Sequence, residues 1–178
     1  SPPSTYFVSG WTGLYNAMIA PLQDFPVKGM LWYQGESNMS DTQMYARLLT
    51  AMVDSWRTQF KRTFPVVIMQ LPGYMRYSGR SIESGWTRIR EQQYQAAQHI
   101  SGASLAPTLD TGEFNDIHPQ DKLTAGHRAA QQMLRLAYGD KGAASDVPKP
   151  LSAQAYGNQL NILFDEVGSG LVKRPFLN

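Results

Sequence analysis

Apolar and polar positions alternate along this chain with two different periods. Leu14, Met18 and Leu22 recur every four residues, with Ala17 and Ile19 widening the stripe. That spacing predicts a buried helix near the start. Pro26 interrupts it, and residues 27–34 (VKGMLWYQ) read as a short apolar strand followed by turn residues. In residues 40–60, Tyr45, Leu48, Leu49, Met52 and Trp56 return at three and four. A long amphipathic helix is expected there, with Ser40 or Asp41 as its N-cap. FPVVIMQL, residues 64–71, is continuously apolar with a proline at its edge. Such a run suits a parallel strand buried on both faces. A Gly- and Ser-rich loop (residues 73–85) follows, then a helix over 86–100 and a strand over 103–110. After a polar loop comes a last helix over 122–139, with Gly139 at its C-terminal end.

Strand and helix thus alternate three times, which argues for a parallel sheet with helices on both faces. Ligands of such folds bind at the carboxyl ends of the strands. Two polar loops leave that edge, one after Tyr33 and one after Leu109. The expected organisation is an α/β domain over residues 1–140, a small-residue and proline-rich linker over 141–158, and a further strand or accessory β-domain beginning at 159–178. No internal repeat is present.

Composition narrows the classes. The 178 residues fit one domain, with 42% hydrophobic and 17% charged residues. A net charge of +2 without a basic run argues against a nucleic-acid partner. No apolar run approaches the roughly 18 residues of a membrane span, so no membrane partner is expected either. The absence of cysteine excludes disulfides, zinc–thiolate sites and a cysteine nucleophile, and leaves the compartment open. SPPSTYFVSG at the start and VGSGLVKRPFLN at the end read as loops entered and left midway. Both ends are therefore expected to have been cut from a longer protein.

Candidate chemistry sits in the two polar loops. His118, in NDIHPQDK, has the intrinsic pKa for general-base work near neutrality. Asp116 and Asn115 lie close enough in sequence to orient one ring nitrogen. A capped surface histidine at a helix start fits the same residues. His99, at a helix end, complements the helix dipole, and His127 is expected to be packed or solvated on its helix. In QGESN, Gly35 permits a sharp turn or close backbone approach. Gln34 carries an amide that could donate to an oxyanion, and Glu36, Ser37 and Asn38 could line a site. A plain strand-to-helix turn capped by Ser37, Asn38 or Ser40 is the competing reading. Glu36, Asp110, Glu113, Asp116 and His118 could ligate a metal, but no HExxH, paired-histidine or calcium-loop pattern occurs, so no metal is expected. No phosphate-loop pattern exists either.

LYNAMIAPL, GMLWYQGESN, DTGEFNDIHPQDK and FDEVGSGLV, in this order, resemble the sialate O-acetylesterase group of the SGNH hydrolase superfamily. The pair WYQGESN and NDIHPQDK is the specific part, and WTRIREQQ resembles the helix between them. The resemblance covers almost the whole chain. It implies a flavodoxin-like three-layer α/β/α sandwich, here incomplete and lacking the first strand. It implies hydrolysis of O-acetyl esters on sugars, sialic acid above all, with no cofactor. His118 matches the family's catalytic histidine, and Gln34 and Gly35 match its oxyanion block, Gln34 being the side-chain donor. The family's nucleophilic serine lies in an earlier GQSNM-type turn, and no such turn precedes residue 14. Ser37, in GESNM, mimics that turn, but its flanks align it with the oxyanion block. The triad aspartate often stands three residues before the histidine. Asn115 occupies that position here and Asp116 sits two before, so either Asp116 orients His118 or a serine–histidine dyad operates. The implied partners are an O-acetylated sugar and a second polypeptide carrying the N-terminal strand and serine. Tyr74, Arg76, Tyr77 and Arg80 in the 73–85 loop could border the substrate. A periplasmic or secreted location is expected. The alternative is a non-catalytic fragment or carbohydrate-binding remnant of such an enzyme.

Overall fold

Four consecutive apolar residues, Val66–Met69, set the centre of the molecule. In the computed structural model, which describes residues 12–74, 84–143, 148–165, 167 and 170, they form a strand buried on both faces. This strand, β2, lies between β1 (Met30–Trp32) and β3 (Ala103–Ala106) in a parallel sheet of order β1–β2–β3. Three helices accompany it: α1 (Tyr45–Gln59), α2 (Gly85–His99) and α3 (Lys122–Tyr138).

The two-residue period of β2 divides the core. Val66 and Ile68 point into a cluster with Tyr45, Leu49 and Val53 of α1 and Trp86, Ile89, Ala96 and Ala97 of α2. Val67 and Met69 point the other way, against Ala106 of β3 and Ala125, Ala129 and Met133 of α3. Two helices therefore cover one face and one helix the other, the three-layer α/β/α arrangement expected. Gly29 sits against Met133, which brings the start of β1 onto α3.

Local chemistry sets the helix limits. Ser84 caps α2 through a reciprocal capping box with Thr87. Asp121 accepts from the Thr124 N–H and caps α3, and Gly139, at φ 69°, ends it. Arg57 donates to the carbonyls of Phe64 and Ser101 at the amino edge of the sheet, tying α1 to the segments that enter β2 and β3.

Three expectations are corrected. The first helical segment is not buried: residues 15–19 form a π-helical turn followed by a 3-10 turn over Ala20–Leu22, and Leu14, Met18 and Leu22 are exposed. Pro21 lacks the N–H a continued helix needs, and only Ile19 of that segment packs on the core. Second, α1 starts at Tyr45, not near residue 40. Met44 stands at its N-cap without a side-chain bond, because a 3-10 turn over Glu36–Asn38 and its continuation occupy the preceding residues. Leu48 faces outward. Third, residues 149–156, inside the stretch read as linker, form a strand, β4 (Lys149–Tyr156). It pairs antiparallel with β5 (Gln159–Asp165) across a turn at Gly157, φ 59°. Gly157 at the first central position suits a two-residue hairpin turn, and Leu151 bulges out of register.

Candidate active site

The carboxyl ends of all three strands converge through short, specific contacts. Gly112 and Gly73 meet backbone to backbone, so that a Cβ on Gly112 would overlap the Gly73 peptide. The Gly73 N–H donates to the Leu109 carbonyl at 3.1 Å, and Thr108 Oγ1 donates to the Gln70 carbonyl. These contacts bind the loop after β2 to the loop after β3. Arg128 of α3 makes a bidentate pair with Asp110, at 2.6 and 2.8 Å, and donates to the Pro107 carbonyl. The loop after β3 is thereby anchored to α3. The ammonium of Lys122, at the start of α3, lies 5.5 Å from the centre of the Tyr33 ring. That contact brings the loop after β1 to the segment that follows His118. The two sequence blocks, some 80 residues apart, thus leave the same edge of the sheet.

On the β3 side, His118 and Asp116 pair directly. The Asp116 carboxylate accepts the His118 backbone N–H at 2.8 Å and stands 3.3 Å from the ring Nδ1. The bond from that backbone N–H holds the Asp116 carboxyl below its ordinary range, and the charge and side chain of His118 add to the effect. Both side chains reach solvent, His118 with 85% of its surface exposed. Asp121, not His118, caps α3, so His118 is not tied up by the helix start. Pro119 beside it is buried and Ile117 packs against the core, which fixes the backbone around an outward-facing ring. His99 bonds the Gln95 carbonyl in the last turn of α2, and His127 is exposed.

On the β1 side, the Gln34 amide donates to Asn38 Oδ1 at 2.7 Å, closing the short turn over Glu36–Asn38. Gly35 is buried at φ 147°, a conformation that side-chain-bearing residues avoid. An added Cβ would lie 3.1 Å from Gln93 Nε2 and 3.3 Å from Ile89 and Leu71. Ser37 is exposed on the turn, and among the described residues no histidine bonds it. Glu36 and Asn38 are half-buried.

Two residues that sequence reasoning passed over hold this loop from below. Gln93, fully buried on α2, donates to the Gln34 carbonyl at 2.9 Å and accepts from the Leu71 N–H at 2.9 Å. Tyr45 of α1 donates to the same carbonyl at 2.8 Å and accepts from the Trp32 indole at 3.1 Å. Burial raises the Tyr45 phenol above its ordinary value, so it keeps its proton. A signal existed: Gln93 falls on the apolar stripe Trp86–Ile89–Gln93–Ala96 of α2, and a glutamine there must have buried partners.

Among the described residues, no three His, Asp or Glu side chains gather as metal ligands would. A mixed cavity of about 230 Å³, lined by Lys28, Arg62, Phe64 and Leu136 among others, lies at the opposite, amino edge of the sheet. The Tyr74 ring lies tilted against Trp86, whose indole donates to the Pro72 carbonyl. Arg76, Tyr77 and Arg80 lie outside the described residues.

Residues 4–135 match the family model for carbohydrate esterases described as sialic acid-specific acetylesterase. The chain belongs to this family. Similar acetylesterases include the sialate O-acetylesterase of Mus musculus, 31% identical over 86% of this chain and 32% of that protein. The human sialate O-acetylesterase is 32% identical over 85% of this chain and 32% of its own length. A solved carbohydrate acetylesterase from Xanthomonas citri superposes with a TM-score of 0.74 at 35% identity, over 85% of this chain and 35% of that one. The chain therefore spans about a third of the length of the acetylesterases it matches. Among the described residues, no helix is long and apolar enough to cross a membrane.

Proposed function

We propose that the protein to which these residues belong is a carbohydrate O-acetylesterase acting on O-acetylated sialic acid by serine-hydrolase chemistry. The observation that carries this reading is the Asp116–His118 pair, at 3.3 Å, on the same sheet edge as the Gln34–Gly35 loop. A serine outside this chain attacks the acetyl carbonyl. His118 takes its proton and later returns it to the leaving sugar hydroxyl. Asp116 holds the ring through Nδ1, leaving Nε2 to face the serine. The Gln34 amide and the Gly35 N–H stabilise the oxyanion, while Glu36 and Asn38 wall the site.

The segment carrying the serine is proposed to add a strand beside β1. Among the described residues β1 pairs only with β2, and Leu31 within it is 56% exposed. Whether that segment is covalently continuous or a second polypeptide is read by intact mass. A periplasmic or secreted location goes with a glycan substrate, and cell fractionation checks it.

The deciding experiment labels the active protein with a fluorophosphonate and maps the adduct. An adduct on a peptide outside residues 1–178 is the expected result; one on Ser37 would overturn the assignment. Hydrolysis of 9-O-acetylated sialic acid against acetylated xylan then ranks the substrates, with the sialic acid ester expected to be faster. A second reading, that this chain on its own is non-catalytic, is favoured by one observation: it spans only about a third of the length of the acetylesterases it matches.

A further inference from the structure

The two hydrogen bonds to the Gln34 carbonyl have a consequence for the next atom along the chain. Gln93 and Tyr45 reach this oxygen from α2 and α1, on the buried side of the loop. The Gln34–Gly35 peptide is trans, so its N–H points opposite to its C=O. The Gly35 N–H is thereby turned away from the α1–α2 layer. Its own carbonyl is used by the Asn38 N–H at 2.9 Å, yet among the described residues nothing accepts from the Gly35 N–H. An unpaired backbone donor on a buried residue is rare and needs a reason. Here the peptide cannot rotate to pair it. Rotation would strip the carbonyl of two donors at once and leave Gln93, itself fully buried, unsatisfied. Gln93 also holds the Leu71 N–H, so it spans the ends of β1 and β2 where the strands part. The Trp32 indole completes the chain by fixing the Tyr45 hydroxyl.

We propose that Gln93 and Tyr45 are positioning residues that lock the Gln34–Gly35 peptide, so that the Gly35 N–H is held in advance as a donor to the developing oxyanion. The inference rests on the reading of Gln34–Gly35 as the oxyanion loop. A donor fixed before reaction needs no reorganisation when charge develops, which is the condition under which such donors act most strongly. The loss should therefore fall on kcat and not on KM, because the interaction strengthens only in the transition state.

The test uses the intact polypeptide carrying these residues, with 4-nitrophenyl acetate as substrate. Gln34→Ala should lower kcat by about 10²–10³-fold. Gln93→Leu should lower kcat by roughly tenfold or more, and Tyr45→Phe by a smaller factor, each with KM nearly unchanged. Val67→Ala, a core change on the opposite, α3-facing side of β2, serves as the control; it should lower the melting temperature but not kcat. With glycine-selective 15N labelling, the Gly35 amide resonance should shift or broaden in the Gln93 and Tyr45 variants and stay in place in the control. If Gln93→Leu does not fold, Tyr45→Phe carries the test. If Gln34→Ala lowers kcat while folded Tyr45→Phe and Gln93→Leu keep it, the positioning role is wrong and the oxyanion reading stands. If Gln34→Ala is itself silent, the oxyanion reading fails and this inference with it. Equal kcat losses in Val67→Ala and the clamp variants would mark the clamp as structural only.

Discussion

His118 shows what a single residue gains from its neighbours. Its ring is exposed, but Asp116 binds both its backbone N–H and its Nδ1, so the side chain is oriented without being buried. On the proposed general-base role, replacing His118 by Ala in the full protein should cost at least the roughly 10²–10⁴-fold that such catalysis supplies. Asp116→Asn should cost between about tenfold and about 10⁴-fold in kcat, measured by ester hydrolysis. No loss from Asp116→Asn would favour a dyad. The same carboxyl bears on stability. Asp116 and Asp121 both lie below the ordinary 3.8, each chiefly through a backbone N–H, of His118 and of Thr124 respectively. A depressed carboxyl adds stability that is present above its unfolded value and lost as pH falls through the folded one. Melting temperatures between about pH 5 and pH 2 should fall less steeply in Asp116→Asn and Asp121→Asn. The effect will be small, since both groups are exposed. At this scale the sequence named His118, Asp116, Gln34 and Gly35 as candidates. It did not mark Tyr45 or Gln93 as holding the Gln34–Gly35 loop, because their partners, the Gln34 carbonyl and the Leu71 N–H, are backbone groups that no motif displays.

Elements were legible where periodicity is strong and uninterrupted. The three strands of the sheet and the helices α1 to α3 follow from apolar spacing, because each buries a face against its neighbour. The segment before Pro26 misled, since an apolar four-residue spacing describes a stripe but not what covers it. The loop-to-loop contacts were invisible for a different reason. Gly73 and Gly112 read as ordinary turn glycines, yet their backbones touch. Gly112→Ala should destabilise the protein by about 1–3 kcal/mol, as forced overpacking does. Ile68→Ala, in the middle of β2, should cost about 2–5 kcal/mol. Denaturant titration of both variants checks these values. Gly112→Ala should also reduce activity beyond its stability loss, because it displaces the loop that carries His118.

For the whole molecule, the α/β layers and the hairpin behave differently. β4 and β5 pair with each other, and apart from Phe164 their described side chains are exposed, Leu151, Leu160 and Leu163 among them. A two-stranded hairpin alone is marginal in water. Deleting residues 149–165 should therefore leave the melting temperature of the α/β unit nearly unchanged, and scanning calorimetry would reveal a contribution. Conversely, the edge of β1, which no described strand covers, and the exposed Leu14, Met18 and Leu22 should make the isolated chain associate, a tendency that light scattering measures. Leu31→Lys should reduce it.

The sequence by itself determined the alternation of strands and helices, the two-faced burial of β2, and the residue types available at the carboxyl edge. These are local properties: periodicity, propensity and side-chain chemistry travel with the residues. The tertiary structure alone decided that the loops after β1 and β3 share an edge through Lys122 and Tyr33, and that Arg128 anchors Asp110. It alone decided that a buried glutamine and a buried tyrosine both donate to the Gln34 carbonyl. Those facts depend on distances between residues far apart in the chain, and such distances exist only once the layers have packed.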